Sequence, residues 1–193
     1  MAKKLIAITG GIGSGKSLAL SILFDAGFYV LSSDDICAKL YERRKVKLIL
    51  KKLFPSAVKG FFNPKIDRKA ISKIVFSDKQ KLKDLTDTIT PLVIKEIKEK
   101  AKKISDIVFV EVPILFECGY QNDFDAVIVI YRPLNERIES VKTRSNLTEN
   151  EVKDRIRNQF DYENNDLSSY ILLTNDGDKE QLKASLLSII KNL

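Results

Sequence analysis

Histidine is absent from all 193 residues. That removes the Ser-His-Asp triad, the Cys-His pair, the H-E-x-x-H zinc site and any histidine base. Proton transfer must fall to a carboxylate, an amine or a thiol. Cysteine is scarce: Cys37 and Cys118 are the whole set and form no C-x-x-C spacing. Neither a disulfide framework nor a thiolate metal site is expected, and a reducing cytoplasm fits best. Long apolar runs are missing, and no segment approaches transmembrane length. The charged start Met1-Ala2-Lys3-Lys4 resembles that of an export signal, but its apolar stretch, Leu5 to Ile8, meets glycines too soon. Repeats and low-complexity linkers are absent as well.

What is present is an ordinary globular composition, 44% hydrophobic and 31% charged, in a length that suits one core with insertions. Lys and Arg total 33 against 26 Asp and Glu, a net charge of +7. Such a balance suits an anionic partner, and nucleic acid and polyphosphates both qualify.

Leu5-Ile6-Ala7-Ile8 reads as a buried strand that runs straight into the glycines of Gly10 to Gly15. A helix is expected from Lys16, with Leu18, Ile22 and Leu23 as its buried stripe and Gly27 as its stop before a second strand, Phe28 to Leu31. From Asp35 to Leu53 the pattern is helical and basic, and Pro55 to Pro64 breaks it. Three further helices then follow with no strand between them. Asp67 caps the first, Ser77 and Gln80 box the second, and Thr90-Pro91 opens the third. Strands return as Ile107 to Val112, expected to be central, and Ala126 to Tyr131. Pro133 opens a helix to Arg144, Thr148 with Glu151 caps one to about Phe160, Tyr170 to Leu173 is the last strand, and Asp178 with Gln181 caps the closing helix. The expected fold is α/β: a doubly wound, five-stranded parallel sheet with a helical insertion between strands two and three.

Gly10-Gly11-Ile12-Gly13-Ser14-Gly15-Lys16-Ser17 matches G-x-x-x-x-G-K-[ST], the loop whose backbone N–H groups surround a polyphosphate. Strand before and helix after supply the context this motif needs. Glycines let successive amides converge on one anion, the helix start adds its positive dipole end, Lys16 reaches the β- and γ-phosphates, and Ser17 ligates magnesium. Asp34 and Asp35 follow the second strand. Either can orient a hydroxyl and accept its proton, since an ordinary aspartate is ionised at neutral pH; both also suit the cap of the next helix. Glu111 ends the third strand, where a carboxylate can help hold magnesium through water. Glu117 follows on the same edge, for a substrate contact or a surface ion pair. Arg137 and Arg144 share one helical face, with Arg155 and Arg157 on the next helix. They read either as a lid over the transferring phosphoryl group or as a solvated basic face.

Taken together, Ile8 to Ser17, the Asp34 loop, Ile66-Asp67-Arg68-Lys69-Ala70 through Ser77, Val112-Pro113-Ile114-Leu115-Phe116-Glu117, Arg144, Arg155, Gln159 and Asn175-Asp176-Gly177 resemble the dephospho-CoA kinase family. The resemblance runs nearly end to end. It implies a P-loop NTPase-type core, about residues 1–34, 106–135 and 168–193, a CoA-binding insertion at 35–105 and a helical lid at 136–167. It implies ATP and Mg2+ as cofactors and dephospho-CoA as the small-molecule substrate. Asp34 becomes the base, Arg144 acts in the lid, Arg155 approaches ATP, the loop around Asn175 lies near adenine, and the nucleotide-binding residues are Gly11 to Leu18, Arg155 and Asn175. The family's Asp-Ala-Asp motif reads Ser32-Ser33-Asp34 here, the arginine four residues on is Ala38, its His-Pro pair is Thr90-Pro91, the threonine after Gly-Lys-Ser is Leu18, and its strand-three aspartate is Glu111.

A cytoplasmic monomer that binds neither nucleic acid nor membrane is expected. A nucleoside or nucleotide kinase is the alternative. A nucleotide-dependent switch is disfavoured because no Asn-Lys-x-Asp segment and no Asp-x-x-Gly after strand three are present.

Overall fold

The structure, a computed structural model, describes residues 4–60, 64–145 and 147–193. Met1 to Lys3 of the charged start and Asn63 of the expected break lie outside the described residues. The chain divides into two compact units, one formed by residues 1–32 and 101–193 and the other by residues 33–100.

The first unit holds β1 (Leu5–Thr9), α1 (Lys16–Asp25), β2 (Tyr29–Ser32), and then, past the second unit, the strands numbered below as β5 to β7. Every residue of β1 is buried, as its run of aliphatic side chains requires of a strand covered on both faces. Gly27 (φ 87) ends α1 in a Schellman turn, with Phe28 N–H bonded to the Leu23 carbonyl and Gly27 N–H to that of Phe24.

The second unit opens with α2 (Ser33–Leu40) and α3 (Arg44–Leu53), continues through β3 (Val58–Lys59) and β4 (Lys65–Ile66), and closes with α4 (Arg68–Ser77) and α5 (Lys79–Ala101). The basic stretch from Asp35 thus forms two helices. The β3–β4 pair is an antiparallel hairpin that the sequence reading passes over, because strands of two residues carry no alternation to detect. Val46 and Leu50 bury the apolar face of α3, which packs on this hairpin. Asp67 caps α4 as expected, accepting from Ala70 N–H at 3.0 Å.

Two expected boundaries move. Ser77 does not cap α5: its hydroxyl donates to the Lys73 and Ile74 carbonyls, and Asp78 Oδ1 accepts from Lys81 N–H instead. Nor does Pro91 start a helix, for it lies inside the continuous 23-residue α5. A proline there costs roughly 3 kcal/mol. The buried stripe Ile89, Val93, Ile94 and Ile97, which spans the proline, offsets that cost.

Back in the first unit come β5 (Val108–Glu111), β6 (Ala126–Tyr131), α6 (Leu134–Ser145), α7 (Glu149–Arg157), β7 (Ile171–Thr174) and α8 (Lys179–Lys191). Both expected capping boxes are present, Thr148 with Glu151 and Asp178 with Gln181. The large sheet is parallel and five-stranded, in the order β2-β5-β1-β6-β7. Its middle strand is β1, not the third strand of the chain as expected. That third strand, β5, lies between β1 and β2, so the first two strands of the chain are not neighbours. Ile6, Ile8, Phe109, Ile128, Ile130 and Leu173 from the sheet form the core with Ala19, Ile22 and Leu23 of α1 and Leu182, Leu186 and Ile190 of α8.

Candidate functional site

The register of the sheet sets the site. Ile8 pairs with Glu111, and Glu111 with Ser32, so the ends of β1, β5 and β2 stand level at one edge. There β1 runs into the glycine loop, and α1 begins at Lys16. Gly15 at the helix start takes φ +100, and a Cβ on it would come within 2.2 Å of Asn175 Nδ2. Only glycine meets both conditions without strain. Ser14 N–H closes the loop onto the Gly11 carbonyl at 3.1 Å.

Distant segments hold this loop from several sides. Asn175, buried just after β7, donates Nδ2–H to the Ser14 carbonyl at 2.8 Å. Gln159, just after α7, accepts from Ile12 N–H at 2.8 Å. The Tyr162 hydroxyl lies 3.3 Å from Thr9 Oγ1, and burial pushes its pKa up to about 12. Phe116, Phe160, Tyr162 and Tyr170 pack ring against ring, with centroids from 4.6 to 6.0 Å apart. Glu117 accepts from Phe160 N–H at 2.8 Å, so its carboxylate serves a backbone contact rather than the surface ion pair weighed from sequence.

Lys16 Nζ donates to the carbonyls of Gly10 and Gly11 at 2.6 and 3.0 Å. Burial lowers its pKa from 10.5 to about 8; the Glu111 carboxylate opposes the shift, Arg137 adds to it, Glu117 opposes it and Arg144 adds to it. A partly buried ammonium that donates to two loop carbonyls is a group whose charged form a bound polyphosphate would favour further. Ser17 is exposed in the first turn of α1, and Leu18 packs against the core. Among the described residues no group of three or more acidic, cysteine or histidine side chains could hold a metal. A hydroxyl at Ser17 and a carboxylate at Glu111 are the hard oxygen donors magnesium takes, and it needs few of them beside water and phosphate.

The two arginines expected to share a lid face differ sharply. Arg144 is exposed near the end of α6. Arg137 is 3% exposed and pairs with Glu163 at 2.7 Å. Arg155 lies exposed on the last turn of α7. In the second unit Asp34 and Asp35 are exposed in the first turn of α2, two and three residues beyond β2.

A model of the dephospho-CoA kinase family matches residues 4–181. The chain belongs to that family. Dephospho-CoA kinases are phosphotransferases that catalyse the last step of coenzyme A biosynthesis. A curated dephospho-CoA kinase of Thermus thermophilus is 35% identical over 190 residues, covering 98% of this chain and 91% of that protein. A crystal structure from Thermus thermophilus matches with a TM-score of 0.85 at 34% identity, over 100% of this chain and 99% of that one. The dephospho-CoA kinase of Campylobacter jejuni matches with a TM-score of 0.69 at 26% identity, over 97% and 96%. No helix among the described residues of this family member is long and apolar enough to cross a membrane.

Sequence reasoning missed Tyr162 and Glu163 as parts of the site and left Gln159 without a role. Their only signal is their placement just after α7, which becomes informative once that segment is seen beside the loop.

Proposed function

We propose that this chain transfers the γ-phosphoryl group of ATP to the ribose 3′-hydroxyl of dephospho-CoA, giving coenzyme A and ADP. The observation that carries this reading is the family match over residues 4–181 together with an intact strand–glycine loop–helix at Gly10 to Ser17. The amides of Gly11 to Leu18 bind the phosphates, and Lys16 neutralises the β- and γ-oxygens. Ser17 directly and Glu111 through water would hold Mg2+, which supplies charge neutralisation on the transferring phosphate. Asp34 orients the acceptor hydroxyl and takes its proton as the new P–O bond forms and the bond to ADP breaks. Arg144 stabilises charge on the moving phosphoryl group, and Arg155 approaches the nucleotide. Asn175 acts on the nucleotide through the loop it holds. Residues 35–105 take the CoA-like acceptor, and 136–167 form the lid. With only two cysteines, Cys37 and Cys118, the chain suits a reducing cytoplasm, and we take it to act there as a monomer.

The test is magnesium-dependent ADP formation from ATP with dephospho-CoA, AMP, other nucleoside monophosphates, or no acceptor. Transfer confined to dephospho-CoA is expected. Turnover only with a nucleoside monophosphate would replace the acceptor, and acceptor-independent hydrolysis would replace the reaction.

A further inference from the structure

Arg137 is the one charged side chain in the buried set of the described residues. Its Nη2 donates to Glu163 Oε1 at 2.7 Å, and the other oxygen of that carboxylate accepts from the Tyr131 hydroxyl at 2.7 Å. Its Nε is buried with no hydrogen-bond partner. A buried guanidinium with a single carboxylate and an unsatisfied N–H is a poor stabiliser, and an apolar side chain of similar volume would be cheaper there. Its position shows what it does instead. A Cβ added to Gly11 would lie 1.9 Å from Arg137 Nη1, and one added to Gly13 would lie 2.6 Å from the Arg137 carbonyl oxygen. One residue of α6 therefore presses on the phosphate loop with its side chain at one glycine and its backbone at another.

We propose that Arg137 is a positioning residue for the phosphate loop, anchored by Glu163 and Tyr131 so that its guanidinium and its carbonyl together fix the peptides of Gly11 and Gly13. It is thus a fixed wall of the loop at the start of the segment assigned to the lid, and it does not move with lid closure. Glu163 acts only through Arg137, and Tyr131 only through Glu163. The ligand it serves is the nucleoside triphosphate, so the inference rests on the reading of ATP as donor.

The experiment compares wild type with Arg137→Met, Glu163→Ala, the double variant and Tyr131→Phe. KM is measured for ATP and for dephospho-CoA, ATP affinity by calorimetry, and thermal midpoint alongside. Arg137→Met is expected to raise the KM and Kd for ATP by about tenfold or more and leave the KM for dephospho-CoA within about twofold, as for a misplaced binding group. Glu163→Ala strands the guanidinium and should lower the thermal midpoint most. The double variant should regain thermal stability without regaining ATP affinity. Tyr131→Phe, the mildest change, should weaken ATP binding about two- to threefold, the scale of one lost hydrogen bond. ATP affinity unchanged in Arg137→Met, or restored with stability in the double variant, would reduce Arg137 to a packing role and overturn the proposal. A wild type that turns over no dephospho-CoA would count against the functional reading alone, because calorimetry with ATP still decides the role of Arg137.

Discussion

Thr9, Ser14, Arg137 and Asn175 are the buried polar residues described in the sheet-bearing unit, and all four touch or flank one glycine loop. In the helical unit, Ser33 is the buried polar residue described, and each of these ion pairs has at least one exposed partner: Arg43 with Glu96, Lys83 with Asp87, Glu42 with Lys47 and Arg68. Buried polarity is costly and survives where it holds a fixed geometry, while exposed pairs contribute little and leave side chains free to adapt. The contrast separates a glycine-loop frame held by buried polar contacts from a helical unit whose ion pairs reach the surface.

Each variant below presses on that contrast, beginning with the largest effect. Asp34→Asn is expected to lower kcat by about 10²–10⁴ while ATP binding persists, read by ADP formation and calorimetry. Unchanged turnover would remove the base from the helical unit. In the frame, Ile128 is fully buried between sheet and helices, and Ile128→Ala should cost about 2–5 kcal/mol in denaturant unfolding. Asn175→Ala leaves the Ser14 carbonyl without its donor and should cost about 1–3 kcal/mol, with ATP affinity falling in parallel.

The next effect is protonic. Lys16 has a pKa of about 8 in the free protein, and bound polyphosphate favours the ammonium and raises it. ATP binding should then take up about half a proton at pH 8, and affinity should fall as pH rises above that value. Calorimetry in buffers of different ionisation enthalpy measures the uptake, and none at pH 8 would contradict it. The smallest effect belongs to the helical unit. Arg43→Ala and Lys83→Ala should leave the thermal midpoint within about 2 °C of wild type. A larger drop would show that its surface charges are not free to adapt.

Legibility followed the range of the interaction. The glycine loop, the strand before it and the helix after it were readable, because a turn, a cap and a dipole are built from residues a few places apart. So were the caps at Asp67, Thr148 and Asp178. Pro91 misled because local chemistry predicts a helix start, and only the buried stripe on both sides of it says otherwise. The β3–β4 hairpin escaped because pairing, not pattern, creates it.

The sequence by itself determined the family and the glycine-loop motif between strand and helix, since that motif is carried by a contiguous segment. Tertiary structure alone decided the strand order that seats Glu111 between β1 and β2, and that Arg137 and Arg144, seven places apart on one helix, have opposite surroundings. The partners that hold the loop lie 147 residues away for Ile12 and Gln159, 161 for Ser14 and Asn175, and 26 for Arg137 and Glu163. Burial and charge pairing are set by such distant neighbours, and helical periodicity within α6 contains no trace of them.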